Sequence, residues 1–189
     1  LKSFKELAKP YQKRGITLGI QLATVGFLLR PGAGKTSIML AILRILQDKK
    51  ISRRMLVVST KRSVLDTWPQ EPGTWEEFKH LKVHSFHVDG RTNPPSDCDI
   101  YCINFENLEW LANSPYMDWF KGEILCVDES TAFKNTMSKR FKLLKTMLKK
   151  FSRRYILTGT PAPNGLIDLF GQVYLLDEGA SLGRFITHY

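Results

Sequence analysis

Only three of the 189 residues are cysteine, Cys98, Cys102 and Cys126, and no Cys-x-x-Cys pair exists. That excludes the usual zinc and redox pairings; with Cys126 inside an apolar run, reduced thiols in a cytosolic setting are the simpler reading. Histidine is as sparse. His80, His84, His87 and His188 form no His-Glu-x-x-His set, and the first three read as surface or strand residues, not metal ligands. No Ser-His-Asp arrangement can be inferred. No apolar run reaches the roughly 18 residues that a membrane span needs, so no membrane partner is expected. Repeats and low-complexity linkers are missing too. From Lys134 to Arg154 there is no acidic residue against nine Lys or Arg, within a net charge of +10. A basic surface suits an anionic polymer, although solubility alone also explains it. The chain starts at Leu1 without Met or a signal-like core, and its tail keeps Leu182, Phe185, Ile186 and Tyr189. A piece of a longer chain is therefore expected.

What is present is globular in character: 43% hydrophobic and 24% charged residues, at a length that suggests one domain. Apolar runs recur at Val25–Leu29, Met55–Ser59, Val83–Val88, Ile100–Ile103, Ile124–Val127 and Tyr155–Leu157. Most are continuously apolar, as parallel strands buried on both faces require. Helical patterns lie between them, so the expected architecture is α/β, a mostly parallel central sheet with helices on both faces. Near the N-terminus, Phe4, Leu7 and Ala8 make a short helical pattern, interrupted by Pro10 before a second apolar-rich stretch, Ile16 to Leu22. Pro69 to Gly73, Gly90 to Pro95 and Pro161 to Gly165 mark loops.

In such sheets ligands sit beyond the carboxyl ends of the strands. Four polar clusters fall there: Gly32 to Thr36, Ser59-Thr60-Lys61, Asp128-Glu129 and Thr158-Gly159-Thr160. The first is a phosphate loop between an apolar strand and an apolar helix. Gly32 and Gly34 let the backbone approach a phosphate, and the free N–H groups of the following helix point at the anion. Lys35 would reach the β- and γ-phosphates, and the Thr36 hydroxyl would hold Mg²⁺. The match to G-x-x-x-x-G-K-[ST] is incomplete, because Leu29 stands at the first glycine; a glycine turn with a solvated lysine is the alternative. The strand Ile124 to Val127 delivers two carboxylates to its exit. Asp128 fits the partner of Mg²⁺ and Glu129 the base that positions water for NTP hydrolysis; a surface or capping pair is the alternative.

These residues resemble a family. Asp128 through Asn135, D-E-S-T-A-F-K-N, resembles the Asp-Glu motif of helicase superfamily two, and Leu157 through Asn164, L-T-G-T-P-A-P-N, resembles its L-T-G-T-P-x-x-N motif. Val58-Ser59-Thr60-Lys61 with Trp68 and Glu71, Asn104-Phe105-Glu106, and Pro10-Tyr11-Gln12 are similar to three further segments, in family order across essentially the whole chain. The Swi/Snf-type branch, especially its small bacterial and phage-borne DEAD-like members, is the nearest in pattern. Two positions depart from it. Arg30 stands where the branch has an acidic residue, and Thr60 where a proline is more usual.

The resemblance implies that residues 1–189 are the first RecA-like, ATP-binding domain of an ATP-dependent DNA helicase or translocase, a nucleic-acid-dependent ATPase of the cytoplasm of a bacterium or phage-infected cell. ATP and Mg²⁺ would be bound by Gln12, reading adenine, and by Gly32, Ala33, Gly34, Lys35 and Thr36. Mg²⁺ would be held by Thr36 and Asp128, and catalysis would fall to Lys35, Asp128 and Glu129. Thr60, Lys61 and Asn104 would face nucleic acid, and Thr158 and Thr160 would couple nucleotide state to grip. The implied partners are DNA, in duplex form, and a second RecA-like domain, absent from this chain, in the same full-length protein. A non-catalytic nucleic-acid-binding module that kept the fold, and an RNA-directed helicase, are the alternatives. In the basic stretch, Phe141, Leu144, Leu148 and Phe151 predict a buried stripe. The lysines then form either a solvated face or a phosphate-tracking one. Trp68, Trp75, Trp110 and Trp119 read as packing anchors.

Overall fold

Strands that are apolar along their whole length need cover on both faces, and a parallel sheet between helices supplies it. The computed structural model describes residues 1–86 and 93–183. In chain order its elements are α1 (Phe4–Leu7), α2 (Pro10–Gln21), β1 (Thr24–Leu28), α3 (Lys35–Asp48), β2 (Met55–Ser59), α4 (Trp68–Gln70), β3 (Val83–Ser85), β4 (Ile100–Asn104), α5 (Leu108–Ala112), β5 (Ile124–Asp128), α6 (Lys139–Met147), β6 (Arg153–Thr158) and α7 (Asp168–Asp177). The strands form a parallel sheet in the order β1-β6-β5-β2-β4-β3.

Every residue of β2, β4 and β5 is buried, whereas the edge strands β1 and β3 are largely half-buried. Side chains alternate between two cores. Met55, Val57, Ile100, Cys102, Ile124 and Cys126 face the core under α2 and α3. Leu56, Val58, Tyr101, Ile103, Leu125 and Val127 face the core under α5, α6 and α7. This is the period-two geometry of a strand applied to a sheet with no solvent face. The cysteines are free; burial pushes the thiols of Cys102 and Cys126 well above their ordinary range. Among the described residues no helix is long and apolar enough to cross a membrane.

Two local features refine the sequence reading. Pro10 begins α2 at its first turn, where the missing N–H costs no intrahelical bond. The strand expected over Val83–Val88 is Val83–Ser85, with the Phe86 amide still donating to Cys102 O at 2.8 Å; His87 and Val88 lie outside the described residues. So do part of the Gly90–Pro95 loop and, in the tail, Phe185, Ile186, His188 and Tyr189. The stripe Phe141, Leu144, Leu148 and Phe151 is buried as expected, with Leu148 in the tighter turn that closes α6 and Phe151 just beyond it. Trp68 is fully buried; Trp75, Trp110 and Trp119 are half-buried and pack against other rings.

Candidate functional site

The strand order places the exits of β1, β6, β5 and β2 side by side. A cleft of about 640 Å³ opens there, walled by Gln12, Gly32, Gly34, Lys35, Thr36, Thr60, Asp128 and Glu129 among others. Residues separated by more than a hundred positions thus share one wall.

On the β1 side, Gly34 adopts φ +73° and caps α3, which starts at Lys35. A Cβ at Gly34 would stand 2.5 Å from Gln12 Nε2, so the glycine is needed for the close approach of α2 as well as for the turn. Gln12 is tied on both ends of its amide: Nε2 donates to Ala33 O at 3.1 Å, and Oε1 accepts from the Lys9 amide at 2.8 Å. The Tyr11 hydroxyl also donates to Ala33 O, at 3.0 Å. Ala33 therefore serves through its carbonyl, and it borders a neighbouring cleft with Arg30 and Pro31. The side chain of Arg30 is exposed, while its carbonyl, with that of Leu29, accepts from Lys35 Nζ at 3.3 and 2.8 Å. The ammonium is thus held over the loop, in reach of an anion seated on the first amides of α3, which have no intrahelical partner.

On the β5 side, Asp128 is 8% exposed. Its Oδ2 accepts from Ser59 Oγ at 3.0 Å, Ser63 Oγ at 3.0 Å and Trp68 Nε1 at 3.1 Å, and its Oδ1 accepts from the Glu129 amide at 3.1 Å. Glu129 holds φ +55°, ψ +51°, a left-handed conformation uncommon outside glycine that clusters at functional sites. Lost solvation at the cleft wall, and then the Asp128 carboxylate, raise the pKa of Glu129 above the ordinary carboxylate value, with Lys35 opposing. Among the described residues no group of three or more His, Cys, Asp or Glu could hold a metal. Thr36 and Asp128 are hard oxygen donors on the same cleft, which fits Mg²⁺ held jointly by protein and phosphate oxygens.

The coupling candidates divide. Thr60 lines the cleft itself; Lys61, Asn104, Thr158 and Thr160 do not. Thr158 Oγ1 stands 3.4 Å from Thr131 Oγ1, just past the acidic pair, and accepts from the Thr160 amide at 3.2 Å. Lys61 is exposed at the end of β2, and Asn104, at the end of β4, donates to Glu106 at 2.7 Å. Sequence reasoning missed the chemical parts of Ser59, Ser63 and Trp68. The available signal was a Trp expected to pack inside, since a buried indole N–H requires an acceptor.

A family model described as the SNF2-related domain matches residues 11–182. Protein p41 of Acyrthosiphon pisum secondary endosymbiont phage 1 is 30% identical over 93% of this chain and 40% of its own length. The DNA repair and recombination protein RAD54B of Gallus gallus is 26% identical over 95% of this chain and 21% of its own. The structure of the Sulfolobus solfataricus SWI2/SNF2 ATPase core in complex with dsDNA superposes with a TM-score of 0.79 at 24% identity, covering 95% of this chain and 37% of that one. The chain thus spans well under half the length of these proteins.

Proposed function

The chain belongs to the SNF2-related domain family, and on that premise we propose that it is the ATP-binding half of an ATP-dependent DNA translocase or helicase, hydrolysing ATP to ADP and phosphate. The observation that carries this reading is the convergence of Lys35, Thr36, Asp128 and Glu129 on one cleft. The name of RAD54B supports DNA as the polymer, as does the dsDNA held by the Sulfolobus core.

Each side chain has a task in that reaction. Beyond its bonds to Ala33 and Lys9, the Gln12 amide keeps one N–H and one oxygen lone pair at the cleft wall, suited to the donor and acceptor edge of adenine. Lys35 exchanges its loop carbonyls for the β- and γ-phosphate oxygens. Thr36 and Asp128 would hold Mg²⁺, which would supply charge neutralisation at the phosphates. Glu129, with its raised pKa, is a better proton acceptor than an ordinary carboxylate and orients the attacking water. Thr158, touching Thr131, passes the state of that carboxylate to the loop after β6. Thr60, Lys61 and Asn104 line the route for the nucleic-acid backbone. A second RecA-like domain in the same full-length protein supplies arginines across the cleft. Such arginines are worth about 10³–10⁵ in rate, so residues 1–189 alone bind Mg-ATP weakly and turn it over slowly.

The test is Glu129→Gln in the full-length protein. Nucleotide binding should persist while DNA-stimulated turnover falls at least about 10²-fold. Turnover equal to that of the unaltered protein refutes the assignment. Stimulation by duplex DNA, single strands and RNA, compared side by side, identifies the polymer.

A further inference from the structure

The segment after β2 supplies no reacting group in the reaction above, yet it holds both metal-side elements of the site. Asp128 Oδ2 accepts three hydrogen bonds, from Ser59, Ser63 and Trp68. A carboxylate oxygen has two lone pairs, so three donors more than fill Oδ2 and leave it nothing for a cation. Oδ1 takes a single bond, from the Glu129 amide, and keeps capacity for a further partner. The two oxygens are therefore not equivalent. Trp68 is fully buried and its indole N–H has one fixed direction. Ser63 is set in turn by its own amide, which donates to Thr60 Oγ1 at 3.3 Å. Three residues after Trp68, the same segment reaches the turn that follows the phosphate loop: Glu71 Oε1 accepts from Ser37 Oγ at 2.5 Å and from Trp75 Nε1 at 3.1 Å. Ser37 follows Thr36 in the first turn of α3.

We propose that Ser63 and Trp68 are positioning residues that occupy Asp128 Oδ2 and leave Oδ1 as the cation-facing oxygen, while Glu71 holds the Thr36 turn opposite it. The inference rests on the nucleotide-site reading and deepens it: one segment, residues 63–75, sets the spacing of the two protein groups that hold Mg²⁺. A purely packing role for Trp68 predicts a loss of stability alone. The positioning role predicts an effect specific to the cation.

The experiment titrates the full-length protein with ADP by calorimetry, in excess EDTA and at rising Mg²⁺. Trp68→Phe removes the N–H and keeps an aromatic ring; Ser63→Ala removes one donor from a small, half-buried side chain and safeguards the test should the first variant not fold. The Mg²⁺ concentration giving half the affinity gain should rise about tenfold for Trp68→Phe, the low end of the range for groups behind a metal ligand, and by less for Ser63→Ala, which removes one of three donors. ADP affinity in EDTA should stay within about twofold of the unaltered protein, and Ser63→Thr, which keeps the hydroxyl, should restore the Mg²⁺ response. An unchanged Mg²⁺ response in both variants, or equal losses with and without Mg²⁺, overturns this inference alone. Failure of the unaltered protein to bind ADP in a Mg²⁺-dependent way overturns the nucleotide reading, and this inference with it.

Discussion

Ser130 donates its hydroxyl to Gln172 Oε1 at 2.7 Å, joining the turn after the acidic pair to the middle of α7. Gln172 is fully buried, and its Nε2 donates to Pro161 O at 2.5 Å and Asp168 O at 2.8 Å. One turn earlier, Asp168 accepts from Lys134 Nζ at 3.3 Å and from the Asn164 amide at 2.9 Å. Between them Gly171 lies so close that a Cβ would meet Phe133 O at 2.3 Å. The start of α7 therefore braces the D-E-S-T-A-F-K-N segment against the L-T-G-T-P-A-P-N segment.

Gln172→Ala removes that brace and leaves the buried Ser130 hydroxyl without its acceptor. An unsatisfied buried polar group costs about 1–3 kcal/mol, so stability in urea should fall by that amount. The second readout is functional. Nucleotide binding should persist while the ratio of DNA-stimulated to basal turnover drops, because the two braced segments carry Glu129 and Thr158. A destabilised variant with a normal ratio would make Gln172 a packing residue only.

How far the sequence alone could reach follows from chain distance. The position of Gly32 to Thr36, of Asp128-Glu129 and of Thr158-Gly159-Thr160 was legible because each lies at the end of an apolar run, and strand exits meet in any parallel sheet. The hydrogen bonds of Trp68 with Asp128 and of Ser130 with Gln172 span 60 and 42 residues. They depend on how α4 and α7 lie on the sheet, which periodicity does not encode. Gln172 had a faint signal, one polar side chain amid the apolar residues of α7. The division of the coupling candidates was not legible either. Thr60 falls inside the cleft because β2 lies beside β5, while Asn104 is one strand further out.

Glu77 carries the clearest pH dependence. Its carboxylate accepts from Ser3 Oγ at 2.9 Å and from the Phe4 and Lys5 amides at 2.9 and 3.0 Å, closing the N-terminus of α1. The Lys5 amide above all, against the opposing effect of burial and helped by the amides of Phe4 and Glu77 itself and the Ser3 hydroxyl, lowers its pKa from 4.5 to about 2. The folded value lies below the unfolded one, so the stabilisation is complete above 4.5 and disappears as pH falls through about 2. Hydrogen-exchange protection of the Phe4 and Lys5 amides should hold down to about pH 4.5 and decline below it. Glu77→Gln should lower that protection at neutral pH and flatten its dependence on acid. A profile shared by both proteins would place the anchoring of α1 elsewhere, for instance in the packing of Phe4 on Trp75 and Phe78.

The basic stretch can be divided by position. α6 returns antiparallel to the strands, so Lys139 and Arg140 begin it near the sheet edge that carries the cleft. Lys150, in the tight turn that follows α6, lies at the opposite edge, where its carbonyl accepts from the Gly122 amide at 2.7 Å, two residues before β5. Arg140 lies over the ring of Phe105, 5.4 Å from its centroid and next to Asn104; Lys139 pairs with Glu109 at 2.7 Å. Lys142 is exposed one turn on, and Lys149 and Lys150 are exposed at the far end. A nucleic-acid strand along the Lys61–Asn104 edge would meet the first group and miss the second. Every phosphate of duplex DNA that a side chain neutralises adds about 0.9 to the steepness of log K against log salt. Arg140→Glu and Lys142→Glu in the full-length protein should each reduce the slope by about that amount, whereas Lys149→Glu and Lys150→Glu should leave it unchanged. Equal slopes for all four variants and the unaltered protein would make the whole stretch a solvated face, and equal reductions in all four would mean a field of net charge rather than a tracked backbone.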